Sequence, residues 1–287
     1  MLTRIVELPS LSLAMKPKLG IVAGGGLLPR LVAETCIKEK RPYHIFGIKD
    51  HADPNELKGH PLDWCRLGAA GKAIDLMHRH KIKEIVMTGP VQRPSLAAIR
   101  PDAKALKVLM QAGSKAFGDD GILSAVIDVI ESEGVKVVGV ETILPCLKPS
   151  EGVLGIHRPN QELKCDIERG QKILAALSPF DVGQSIIIQQ GMVLGIEAAE
   201  GTDMLIKRSG LLRRGGIGGV LVKLPKIGQD ERVDLPTIGI KTVELANSAG
   251  LSGIALQAGG VLIVELTETI SYADKAGLFL VALPKNS

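Results

Sequence analysis

Aromatic residues are scarce in this chain, with one Trp, two Tyr and four Phe among 287 residues. Trp64 alone cannot build the stacked platform that holds single-stranded nucleic acid. The net charge is only +4, with no basic stripe, so no nucleic-acid partner is expected. Cysteine is also sparse. Cys36, Cys65, Cys146 and Cys165 are widely spaced, and the absence of any CxxC pair excludes a zinc ribbon or a thioredoxin-type motif. The four are expected to be buried, reduced thiols of a cytosolic protein. No apolar run approaches the roughly 18 residues that a membrane span needs. The first residues, broken by Glu7 and Pro9, make a poor signal peptide, and Met15 is an alternative start. Neither GxSxG nor HExxH occurs.

What remains is aliphatic. Hydrophobic residues are 45% of the chain and glycines number 33. A core of Val, Ile, Leu and Ala suits parallel strands covered on both faces. Along the first half, strands at 18–23, 42–48, 84–89 and 135–141 alternate with helices at 27–40, 71–82, 105–113 and 120–134. This rhythm predicts a Rossmann-like parallel-sheet domain over 17–147, after an extension at 1–16. Pro145, Pro149 and Pro159 mark a linker at 148–160. A mixed α/β domain is expected over 161–287. It opens with a helix at 161–177 and a hairpin that turns at Gln190-Gly191.

Several stretches hold residues suited to chemistry. "VAGGGLLP" (22–29) is a glycine turn between a strand and a helix, where backbone amides and the helix dipole suit phosphate. The glycines are contiguous and position 29 is Pro, so the GxGxxG of a dinucleotide site is not met, although Asp50 stands at a plausible distance. "TGPVQRP" (88–94) follows a strand at the end where open sheets bind ligands. In "FGDDGIL", Asp119 or Asp120 caps a helix starting near Gly121, or the pair holds a metal or a sugar. In "GIEAAEGTDML", capping accounts for Thr202 and Asp203 but leaves Glu197 unexplained. His78 and His80, two apart on a helix, do not share a face and read as solvated.

The densest charge lies in "GQDERVDLPTIG" (228–239). Read as extended chain, Arg232 and Asp234 point the same way, and a helix begins near Thr237. Lys223 and Lys226 stand just before, suited to neutralising phosphate oxygens. The alternatives are a surface ion pair beside a helix cap and a site for a metal and a phosphate.

Taken in order, "AGGGLLP", "TGPVQRP", "GDDGIL", "DVGQS", "EAAEGTD" and "VKLPKIGQDERVDLPTIG" span both halves. Together they resemble the UDP-2,3-diacylglucosamine pyrophosphatases of the lipid A pathway, in the two-domain form unrelated to the calcineurin-like phosphoesterases. The resemblance covers the chain from about Lys18. It implies metal-assisted hydrolysis to UMP and 2,3-diacylglucosamine 1-phosphate, with the lipid held between the domains. It makes Asp234 the key carboxylate. The residues themselves add Arg232 and Lys223 as catalytic partners, and Asp234 and Glu197 as ligands of Mg²⁺ or another divalent cation. Substrate contacts are expected from Gly25, Gly26, Leu27, Gly89, Pro90, Asp119, Asp120, Gln184, Thr202 and Asp203. Pro90 departs from the pattern, where an asparagine is expected. The implied partners are the UDP-linked diacylated glucosamine and, transiently, the inner-membrane surface. The implied place is the cytoplasm, and a homodimer is compatible. Two rival readings stay open from the residues: a non-catalytic binder of a nucleotide sugar or lipid, and an NAD(P)-dependent oxidoreductase.

Overall fold

The computed structural model describes residues 16–91, 100–112 and 119–285. The first half builds β1 (Leu19–Ala23), α1 (Leu28–Lys38), β2 (Tyr43–Ile48), β3 (Leu62–Cys65), α2 (Ala70–Arg79), β4 (Glu84–Thr88), α3 (Ala103–Ala112), α4 (Asp119–Ser132) and β5 (Lys136–Val137). These strands form a parallel sheet in the order β3-β2-β1-β4-β5. The order reverses at β1, the kind of switch point where open α/β sheets bind ligands at the carboxyl ends of the strands. Both faces are covered, one by α1 through Val32 and Cys36, the other by α2 and α4 through Met77, Ile127 and Ile130.

Two elements differ from the sequence reading. β3 is an edge strand of four residues, "LDWC", too short and too polar to show a period. β5 is confined to Lys136–Val137, because Val140–Thr142 turns into a 3-10 helix. The cysteines also divide. Cys36 and Cys65 are buried, and burial pushes the Cys36 thiol up to about 11, whereas Cys146 and Cys165 are exposed.

The second half contains β6 (Gly152–Val153), α5 (Gln161–Leu177), β7 (Ser185–Gln189), β8 (Met192–Ile196), α6 (Gly201–Gly210), β9 (Val220–Lys223), β10 (Thr237–Ile238), α7 (Ile240–Ser248), β11 (Gly253–Gln257), β12 (Leu262–Ile263), α8 (Leu266–Lys275) and β13 (Phe279–Leu283). A mixed sheet runs β6-β13-β11-β9-β7-β8, and β10 pairs with β12 separately. The stretch read as a linker contributes β6, which pairs antiparallel with β13. β7 is buried along its whole length because Ile187 faces the α6 and α7 layer while Ile186 and Ile188 face α5. No helix among the described residues is long and apolar enough to cross a membrane.

The hairpin forms where expected. Gln190 and Gly191 have φ of 51° and 75°, the left-handed pair that a two-residue hairpin needs. Asp166 of α5 is only 3% exposed, and its carboxylate accepts from the Gln190 and Gly191 amides at 2.8 and 2.7 Å. Removing it leaves two amides without their acceptor. Asp166→Ala is therefore expected to cost roughly 2–4 kcal/mol in urea unfolding, with Asp166→Asn losing clearly less.

Candidate functional site

A cavity of about 1460 Å³ lies between the two sheets and takes its walls from both halves. One side is the glycine loop after β1 and the loop after β4. Gly24 donates its amide to Thr88 O at 2.9 Å, and Gly25 donates to Pro90 O at 2.9 Å. The two loops are thus zipped together, which corrects the expectation that these amides are free for phosphate. Close approach explains the glycines. A Cβ on Gly24 would sit 2.4 Å from Gly89 O, and one on Gly89, with φ of +87°, 2.2 Å from Gly25 O. Gly89→Ala must separate the loops, and a loss of about 1–3 kcal/mol on thermal unfolding is expected. Beyond the zipper, Gly26 and Leu27 line the cavity at the start of α1, whose N-cap makes no side-chain bond.

The charged wall comes from the second half. Residues 231–233 form a turn, with the Val233 and Asp234 amides both bonded to Asp230 O. This corrects the extended reading. Arg232 turns to partners other than the expected Asp234. Its Nε and Nη2 reach the Asp230 carboxylate, at 2.7 Å for the shortest contact, and its Nη1 reaches Glu131 of α4 at 2.8 Å. Hydrogen bonding to Asp230 holds the guanidinium well above its ordinary value and the Asp230 carboxyl below its own. Asp234 is held by its neighbours. Val233 packs on the α2–α4 core cluster and Leu235 on the α1 cluster, so both anchor in the first half while Asp234 lines the cavity. Then β10 begins at Thr237, where a helix was expected, and α7 follows from Ile240.

Behind this wall lies a buried polar knot. Lys223 Nζ donates to Thr202 Oγ1 at 2.7 Å and to Ser185 Oγ at 3.2 Å, and lies 3.8 Å from Glu197 Oε2. Thr202 Oγ1 in turn donates to Glu197 Oε1 at 2.9 Å. Burial pushes the Lys223 ammonium below its ordinary value, opposed by the carboxylates of Glu197, Asp203 and Asp234. Three acidic groups therefore gather around one desolvated cation. Glu197 Oε2 has no hydrogen-bond partner although it is buried.

The capping reading of Thr202 and Asp203 is also corrected. The N-cap of α6 is Glu200, with no side-chain cap bond, while Thr202 serves the knot and Asp203 pairs with Lys241 at 2.7 Å.

Two sequence patterns described as the LpxI N-terminal domain and the LpxI C-terminal domain match residues 18–147 and 150–281. The UDP-2,3-diacylglucosamine pyrophosphatase LpxI of Caulobacter vibrioides is 36% identical over 275 residues, covering 93% of this chain and 97% of that protein. The chain belongs to the LpxI family. Among solved structures, the UDP-glucose 4-epimerase of Thermus thermophilus in complex with NAD aligns at 12% identity with a TM-score of 0.33, over 94% of this chain and 86% of that one. Bordetella bronchiseptica WbmG in complex with NAD and UDP aligns at 12% with a TM-score of 0.32, over 94% and 97%. Likenesses this slight decide nothing.

In this LpxI-family chain the structure brings Gly25, Gly26, Leu27, Gly89, Pro90, Gln184, Glu197, Arg232 and Asp234 to the lining of one cavity. Lys223, Thr202 and Asp203 do not line it. The first two stand behind Glu197. Asp119 and Asp120 open α4, two residues earlier than the expected start, and their side chains lie outside the described residues. Lys226 ion-pairs with Asp181 at the cavity. Sequence reasoning misses Gln229, which is buried and bonds to the Gln184 side chain, the Lys226 amide and the Asp234 carbonyl. Its only signal is its place inside the charged segment. Asp181 and Lys241 escape notice because their partners are distant in sequence.

Proposed function

We propose that this chain hydrolyses the pyrophosphate of UDP-2,3-diacylglucosamine to UMP and 2,3-diacylglucosamine 1-phosphate. Family membership across both halves supports the reaction. The observation that carries it to this chain is a cavity that joins a carboxylate-bearing loop to an aliphatic wall. Ile122, Leu123 and Val126 of α4 line that wall, where acyl chains would be accommodated. Beyond the zipped amides, Gly26, Leu27 and the start of α1 are the natural seat for the nucleotide phosphates.

The donor set fits a hard divalent cation. Glu197 Oε2 is buried without a hydrogen-bond partner, and both Glu197 and Asp234 line the cavity. Mg²⁺ binds through one or two carboxylates with substrate phosphate and water, so Asp234 and Glu197 would hold it. When bound it would offset pyrophosphate charge. The chain's own residues do the rest. Asp234 faces the reacting phosphorus and accepts a proton from the attacking water, whose oxygen bonds to phosphorus as the bridging P–O bond breaks and the leaving phosphate keeps its electron pair. Thr202 and Lys223 fix Glu197 from behind, so the carboxylate is in place before substrate arrives. Arg232 has its charge offset by Asp230 and Glu131, so it acts as a clasp between loop and α4 and not as a phosphate clamp.

The work would be done in the cytoplasm, with transient contact to the inner-membrane surface where the lipid resides. The test is UMP release from UDP-2,3-diacylglucosamine, with Mg²⁺ and with EDTA. Metal-dependent release supports the reading. Binding of the lipid nucleotide without release, under any divalent cation, from folded protein would replace it with a carrier or sensor.

A further inference from the structure

A second group of side chains stands apart from this cavity. His44 lies near the start of β2, Asp63 on the neighbouring β3, and His80 at the C-terminal cap of α2. All three sit toward the amino ends of the parallel strands, away from the glycine loop at the carboxyl end of β1. Helical spacing alone reads His80 as solvated beside His78. His78 is indeed exposed and lies 3.3 Å from Glu133, but His80 turns inward. Its Nε2 is 2.8 Å from Asp63 Oδ2, and His44 Nε2 is 2.9 Å from the same oxygen. The two imidazoles stack with centroids 3.6 Å apart and planes 18° apart, and both Nε2 atoms meet the same Asp63 oxygen. The ligand-type atoms all lie within 4.8 Å of one another.

We infer that His44, Asp63 and His80 form a binding site for Zn²⁺, or a divalent metal of similar preference, separate from the pyrophosphate site. Two imidazole nitrogens and one carboxylate oxygen suit zinc and disfavour Mg²⁺, which takes oxygen ligands. Zinc with bonds of about 2.0–2.1 Å holds tetrahedral ligands about 3.3 Å apart. The two N–O separations, 2.9 and 2.8 Å, need open by only a few tenths of an ångström, and the stacked rings would swing apart to bring the ion into both ring planes. His44 is 7% exposed and holds the inner position, whereas the Asp63 side chain is 36% exposed and leaves a path for the ion and a coordinated water. The metal would tie the C-terminal end of α2 to β2 and β3. Because Ala73, Ile74 and Met77 of α2 line the substrate cavity, the metal would also stiffen one cavity wall from behind.

The test uses the full chain stripped with chelator. Calorimetry with Zn²⁺ and the visible absorption of Co²⁺ are recorded for wild type, His80→Gln and Asp63→Asn. Asp63→Asn keeps an oxygen for the imidazoles while removing the anionic ligand, and His80→Gln alters the outer edge of the cluster. Circular dichroism confirms that each is folded. A single tight equivalent in wild type, a tetrahedral Co²⁺ spectrum displaced by Zn²⁺, and at least about a tenfold loss of affinity in both variants are expected. Zinc should raise the thermal midpoint of wild type by more than that of either variant. Equal binding by wild type and either folded variant would overturn the site and move the metal elsewhere, the exposed Cys146 and Cys165 being the first places to look. No binding by wild type would overturn it outright. UMP release with Mg²⁺ is measured alongside, and its failure would leave this assignment untouched.

Discussion

Asp234→Asn should lower kcat for UMP release by about 10²–10⁴-fold while the protein stays folded. The substitution keeps side-chain volume and removes one charge. The loop should hold its shape because its anchors are Val233 and Leu235, which pack on the two first-half cores. The loss should appear in kcat more than in KM, since the carboxylate is proposed to act on water and metal and not on the acyl chains. Arg232→Gln is the internal control. With Asp230 and Glu131 already offsetting the guanidinium, its effect should be less than about tenfold and should fall on loop stability. Wild-type turnover by folded Asp234→Asn would remove Asp234 from the chemistry. A larger loss in Arg232→Gln than in Asp234→Asn would reverse the two roles.

Lys223→Met is expected to be the most destabilising single change, at about 3–5 kcal/mol. The ammonium is buried and stands 3.8 Å from Glu197 Oε2, with Asp203 and Asp234 near enough to act on it. Methionine fills much of the volume but leaves Glu197 desolvated without its cation. The double change Lys223→Met with Glu197→Gln should recover much of the loss, which a double-mutant cycle in urea would measure. Burial holds the folded pKa of Lys223 below its ordinary value of 10.5. Between those two values the unfolded chain binds the proton more readily, so stability rises with pH through that window. That slope should vanish in Lys223→Met. A cost below about 1 kcal/mol, with no coupling to Glu197, would show that the knot is not an electrostatic unit.

Much of the architecture was legible because its signals are local. Aliphatic strands such as "LGIVA" and "SIIIQ" are covered on both faces and so read as continuous apolar runs. The turn at Gln190-Gly191 needs two left-handed residues, and those types announce it. β3 stayed hidden because four edge residues show no period, and β10 because strand pairing with β12 overrides the helix signal at Thr237.

The charged segment marks the limit of that reading. Sequence alone determined that carboxylates and cations would fall together at 228–239, just before Pro236, in an aliphatic, aromatic-poor α/β chain. Which charge meets which was decided only in three dimensions. Arg232 turned to Asp230 because a tight turn, and not an extended strand, brings them together. Lys223 went inward to Thr202 and Glu197, residues far back along the chain. His80 found Asp63 and His44 across three elements. Period and turn chemistry act over a few residues and can be read along the chain. Ion pairing and ligand convergence depend on distances that exist only after the sheets have packed.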